Sequence, residues 1–76
     1  MGVKFDFEII RHCGTLGECG YKSTELNLIS YAGEPPKYDL RRWLTINGER
    51  KMGKGLTLTG DELHVLREIL NGMDGV

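Results

Sequence analysis

The sequence predicts a small α+β domain, four antiparallel strands followed by one C-terminal helix, paired as a homodimer. Three observations carry this. Four stretches alternate apolar and polar residues with a period of two, and Gly- or Pro-containing turns separate them. Asn47-Gly48 joins the last two, a pair suited to the positive φ angles of a type I′ hairpin. Thr59 and Glu62 then form a capping-box signature ahead of a helical apolar pattern.

The elements follow in order. "VKFDFEIIRHC" sets Phe5, Phe7 and Ile9 against Asp6 and Glu8, as a half-buried strand does. "GTLGECGYK", with three glycines, reads as a loop. "STELNLISY" alternates Leu26 and Leu28 with Glu25 and Asn27 and gives the second strand. "AGEPP" must turn, because neither proline can donate to a ladder. "KYDLRRWLTI" is the third strand, with Tyr38, Leu40, Arg42 and Leu44 on one face and Lys37, Asp39, Arg41 and Trp43 on the other. "ERKMGKGLTL" returns as the fourth, with Leu56 and Leu58 toward the core.

The helix is expected from Gly60 to Asn71. Thr59 is its N-cap, Leu58 and Leu63 form a staple, and Asp61 and Glu62 meet the positive end of the dipole. Gly72 would close it as a left-handed residue. Leu63, Val65, Leu66, Ile69, Leu70 and Met73 cover an arc of about 160°, wider than the roughly 100° one sheet needs. The spare width predicts a second contact, with Leu66, Ile69, Leu70 and Met73 at a dimer interface. The competing reading is a helix set deep in its own sheet. Size favours the dimer, since 76 residues bury a marginal core.

Length allows one domain, residues 1–76, and the ordinary mixture of apolar and charged residues excludes disorder. No apolar run reaches the ~18 residues of a membrane span. The N-terminus has no signal-peptide core, and Asp6 stands where a myristoylation signal needs Ser or Thr. A cytoplasmic location is expected. Cys13 and Cys19, flanking the expected loop, then read as free thiols. A hairpin disulfide or a zinc site with His12 and His64 is a minority reading, since the cysteine spacing is uncommon for zinc.

Gly48, Gly53 and Lys54 mimic most of a nucleotide-binding P-loop, but Gly55 stands where Ser or Thr must hold magnesium. The stretch also leads into a strand rather than a helix, so that motif is rejected. His12 and His64 are the only histidines, no nucleophile elbow and no Cys-His pairing is evident at strand ends, and the carboxylates are scattered. No enzymatic activity, metal or cofactor is expected.

What remains is charge. Residues 37–54 carry six basic and two acidic side chains, whereas the rest carries four basic and nine acidic. Such a stretch suits a polyanion, although solvated strand edges give the same pattern. Tyr31, Lys37, Arg41 and Trp43 can share one sheet face, rings for unpaired bases and cations for phosphates. Trp43 fits a subunit interface equally well, and Tyr31 also fits a ring that merely covers the sheet. Lys54 between Gly53 and Gly55 fits either a phosphate contact or a simple β-bulge.

"KYDLRRW" followed by "NGERKMGKGLTLTGDELHVLREIL" resembles the C-terminal domain of the transcriptional coactivator family called positive cofactor four. The run from "TELNLISYAGEPP" through "KMGKGLTLT" looks especially like its bacterial YdbC-like branch. The resemblance spans about Thr24 to Leu70 and rests on the order and spacing of several motifs. It implies a homodimer of curved four-stranded sheets, held partly by the helices, that binds single-stranded DNA across the strands. Asp39, Leu40 and Arg41 match the family's D-I-R, and Lys54 and Gly55 its K-G. Arg41 and Lys54-Gly55 carry over as nucleic-acid contacts, Trp43 matches an aromatic position, and Tyr31 lies where an aromatic ends a strand. The chain departs at Glu34-Pro35-Pro36, where eukaryotic members are more basic, and at Leu44, where a second aromatic is common. The basic, serine-rich tail of eukaryotic members is also missing.

Together these readings predict a non-enzymatic single-stranded DNA-binding protein of low sequence specificity, acting in transcription, replication or repair. Its contacts are Tyr31, Lys37, Arg41, Trp43, Arg50, Lys51, Lys54 and Gly55. A protein-interaction module docking a transcription or repair partner, and an RNA-binding module, remain the alternatives.

Overall fold

The computed structural model describes residues 6–75. Four strands, β1 (Phe7–Cys19), β2 (Lys22–Tyr31), β3 (Lys37–Ile46) and β4 (Glu49–Leu58), precede one helix, α1 (Gly60–Asn71). The strands form a single antiparallel sheet in the order β1-β2-β3-β4. Asn47 and Gly48 take φ of 53° and 76° in the β3–β4 turn, the pair of positive angles a type I′ turn requires. At α1 the Thr59 hydroxyl accepts from the Glu62 N–H, and the Glu62 carboxylate accepts from the Thr59 N–H. The capping box thus forms as the sequence predicts. The C-cap does not: Gly72 has φ −89°, a right-handed conformation, and its N–H bonds back to the last turn's carbonyls.

The expected first loop is also absent. β1 runs unbroken to Cys19, and only Gly20 and Tyr21 turn, with Gly20 at φ 61°. Gly14 and Gly17 do not loop out; the register shifts at His12/Gly14 and Thr15/Gly17 fall at them, and a third shift lies at Ile9/Arg11. Bulges bend and twist a strand without ending it, so the glycines mark curvature. Cys13 and Cys19 sit on this one strand as exposed free thiols. Six residues of strand span roughly 20 Å, far beyond disulfide reach. Phe5, the first residue of the predicted alternation, lies outside the described residues.

The curvature is large, and the aromatic rings measure it. Phe7 pairs with Tyr31 and Trp43 with Ser23, positions at opposite ends of β2. On a flat sheet that separation is roughly 26 Å at 3.3 Å per residue. Their ring centroids are 5.7 Å apart. The sheet therefore curls with this face inside.

The curl reverses the burial predicted from polarity. Inside it, Ile29 and Trp43 are buried together with Glu25, Asn27 and Asp39. The Leu26, Leu28 and Leu40 face, predicted as core, is only half-buried. Leu56 is exposed, which corrects its assignment to the core. Helix α1 packs on this outer face against β3 and β4. Leu63 and Leu66 are its half-buried residues, Val65, Ile69 and Leu70 on it are exposed, and so is Met73 just past its end. Between helix and sheet an open apolar groove of about 760 Å³ is lined by Leu16, Leu26, Leu40, Leu58, Leu63 and Leu70 among others. The alternative of a helix set deep in its own sheet does not hold.

Candidate nucleic-acid interface

The inner face is organised by register. β2 and β3 set Asn27 opposite Asp39, Glu25 opposite Arg41 and Ser23 opposite Trp43. β4 adds Gly55 opposite Arg41 and Met52 opposite Trp43. Asp39 and Arg41 are two residues apart on one strand, so both side chains point inward, and they pair there.

Asp39 is fully buried, and Arg41 holds it with a fork. Arg41 Nε donates to Oδ1 at 2.9 Å and Oδ2 at 3.1 Å, and Nη2 donates to Oδ2 at 2.7 Å. Nη1 reaches across to the Gly53 carbonyl at 3.0 Å, and Nη2 also lies 3.4 Å from the Tyr31 hydroxyl. Tyr31 donates to Asp39 Oδ2 at 2.6 Å. Burial, followed by the hydrogen bond to Asp39 and its negative charge, pushes the Tyr31 hydroxyl up to about 12. The same carboxylate raises the Arg41 pKa through its hydrogen bonds. With its side chain 16% exposed and these donors committed, Arg41 has one Nη1 hydrogen for an outside acceptor.

Gly55 makes this cluster possible. A Cβ there would overlap Arg41 Cβ and come 2.7 Å from the Leu40 carbonyl oxygen. One residue earlier the register slips between Arg41 and Trp43, so that Arg42 faces both Gly53 and Lys54. The "GKG" stretch is thus a bulge, with Lys54 exposed at its tip.

A second cluster sits around Glu25. Its carboxylate accepts from Arg50 Nη2 at 2.9 Å and from the Ser23 hydroxyl at 2.7 Å, with His12 Nδ1 3.8 Å away. Burial works against its ionisation. Hydrogen bonds from Arg50 and Ser23 and the Arg50 charge outweigh that and hold it below the usual carboxylate range. His12 Nδ1 lies 2.6 Å from Asn27 Oδ1, and the Thr15 hydroxyl 3.2 Å from His12 Nε2. The Arg50 guanidinium lies over the Trp43 ring, 4.7 Å from its centroid.

Of the residues predicted as contacts, Tyr31, Lys37, Arg41, Trp43, Arg50 and Gly55 share the inner face by register. Lys51 pairs with Leu44 and falls on the other side. Trp43 differs from the expectation of an open ring. It is 2% exposed, covered by Arg50 from the neighbouring strand and by Phe7, which the curl brings over it. Its indole Nε1 has no acceptor among the described residues. Lys37, Lys51, Lys54 and Arg42 form no ion pair among the described residues, so their charges face outward unneutralised. No group of three His, Cys, Asp or Glu among the described residues is placed to hold a metal. No described helix is long and apolar enough to cross a membrane.

Sequence reasoning missed Glu25, Asn27 and Phe7, and weighed His12 for zinc and catalysis alone. Glu25 and Asn27 read as solvent-facing because alternation says which residues share a face, not whether that face is covered. Phe7 carried no partner signal, since its ring contact crosses the curl.

Residues 21–69 match the family model described as Transcriptional Coactivator p15 (PC4). A curated protein of Treponema pallidum (strain Nichols), named only as uncharacterized, is 47% identical over 70 residues. That alignment covers 91% of this chain and 80% of the relative.

Proposed function

The chain belongs to the transcriptional coactivator p15 (PC4) family, a non-enzymatic DNA-binding family, and from that premise we propose that it is a homodimeric single-stranded DNA-binding protein of low sequence specificity. It would serve transcription, replication or repair. The observation that carries the reading is the pairing of two kinds of cation along β3 and β4. Arg41 and Arg50 are fixed by buried carboxylates beside aromatic rings, while Lys37, Lys51, Lys54 and Arg42 carry free charge. Fixed guanidiniums and rings position a strand, and lysines outside any ion pair supply the field that draws a polyanion.

In this reading Lys37, Lys54 and Arg50 meet phosphates and Lys51 adds field. Gly55 lets β4 approach Arg41, which frames the site and keeps one N–H for the ligand. Tyr31 and Trp43 form the aromatic floor, and a base reaches Trp43 only where Phe7 and Arg50 yield. The dimer is supported by the apolar outer face: Val65, Ile69 and Leu70 on α1, and Met73 just beyond it, are exposed. Leu66 would support them from the groove.

Fluorescence anisotropy with matched single-stranded DNA, duplex DNA and RNA tests the proposal. Single-stranded DNA should bind best, with log K falling against log salt by about 0.7 per phosphate contact. No binding to single strands at low salt would overturn it. RNA binding tighter than DNA would replace it with an RNA-binding module.

A further inference from the structure

We propose that Phe7 is the open stacking ring of the single-strand site, a binding residue standing in front of the buried Trp43. This rests on the single-strand reading above. Two neighbouring aromatic rings on the inner face have opposite accessibility. Trp43 is 2% exposed, whereas Phe7, tilted 51° against it, is 40% exposed. A base needs an accessible ring, and Phe7 is the accessible member of the pair. Tyr31, by contrast, is tied through its hydroxyl to Asp39.

Phe7 stands at the edge of the sheet, where it borders a cavity of about 380 Å³ lined also by Ser30, Ala32 and Gly33. Asp6 and Glu8 border the same cavity and would repel a phosphate there. The Arg50 guanidinium, held by Glu25, lies over the same indole that Phe7 packs on and is the nearby cation for a phosphate. One nucleotide therefore fits with its base on Phe7, away from its phosphate, and its backbone directed toward Arg50. Trp43 supports both groups from behind, which accounts for a large ring buried in an otherwise polar face.

Anisotropy with an oligothymidine, comparing the full chain with Phe7→Leu and Phe7→Tyr, tests this. Leucine keeps an apolar contact with Trp43 but has no ring face, and tyrosine keeps the ring. Trp43 is the chain's one tryptophan, so its emission reports whether each variant retains the curl. With emission preserved, Phe7→Leu should bind roughly 5- to 150-fold more weakly, the range of one lost base stack. Phe7→Tyr should bind like the parent, and the salt slope should be the same in all three, since no charge changes. If the parent binds and Phe7→Leu binds as well or better, Phe7 is a cover rather than a platform and this inference alone fails. If the parent does not bind single strands, the reading beneath it fails too.

Discussion

Replacing Arg41 by alanine separates a framing role from a phosphate contact. In the folded chain Asp39 has no exposed surface, and its neutralising charge comes from the Arg41 fork. Truncating one partner of a buried ion pair strands the other, at a typical cost of about 3–5 kcal/mol. Here the Tyr31 hydroxyl still donates to Asp39, and the vacated space opens toward solvent where Arg41 is already partly exposed. The lower end, about 3 kcal/mol, is therefore expected. A domain of this length has total stability of about 4–11 kcal/mol, so the loss is a large share of the whole. It should show as a reduced urea midpoint with an unchanged m-value. Pairing Arg41→Ala with Asp39→Asn should recover part of the loss, because no buried charge is left stranded.

The binding assay gives the second half. If Arg41 frames the site, a folded Arg41→Lys variant binds more weakly but keeps the parent's slope of log K against log salt. The lysine keeps the charge and loses the planar fork that reaches Asp39, Tyr31 and Gly53 together. For Arg41→Ala, a framing residue again leaves the slope unchanged, whereas a lost phosphate contact lowers its magnitude by about 0.7. An Arg41→Ala variant that loses less than about 1 kcal/mol of stability and also shows the lower slope would refute the reasoning.

Three further outcomes follow from the geometry. Gly55→Ala should destabilise by on the order of 3 kcal/mol, since its Cβ meets the β3 backbone as well as Arg41; a urea midpoint matching the parent would show that β4 can move away. Ala32 sits at φ 50° in the Tyr31–Glu34 turn, which closes with a 2.9 Å hydrogen bond. Ala32→Asn should therefore raise stability by about 0.5–1 kcal/mol, and no gain in thermal midpoint would argue against strain there. Tyr31 holds its proton to about pH 12 in the fold, against an ordinary tyrosine value of 10. Its neutral form thus contributes stability that is whole below pH 10 and is lost as pH rises toward 12, of order 1–2 kcal/mol. Denaturation from about pH 9 to 12 should show this slope in the parent and a flatter one in Tyr31→Phe; equal slopes would remove Tyr31 as its source.

The strands from Lys22 onward and the helix were legible in the sequence because their signals are local. Asn47-Gly48 fixes one hairpin and Thr59 with Glu62 fixes the helix start, and neither depends on what packs against it. The continuation of β1 was not legible, since glycines in a bulged strand and glycines in a loop look alike in sequence. Gly14 and Gly17 bend the strand, whereas Gly20 turns it.

The same bend explains the site that polarity misassigned. Alternation placed Tyr31, Lys37, Arg41 and Trp43 on one face correctly, because register conserves parity. Whether that face meets water depends on curvature, a property of the whole sheet that three shifts in β1 help to set. Once the sheet curls, the polar face must satisfy its own charges: Asp39 takes Arg41, and Glu25 takes Arg50. The apolar face, turned outward, is left with a helix that covers only part of it. A sheet with its carboxylates paired inside the curve and leucines exposed outside it links the two proposals: the curl that would form the binding face also leaves the apolar surface on which the proposed homodimer would close.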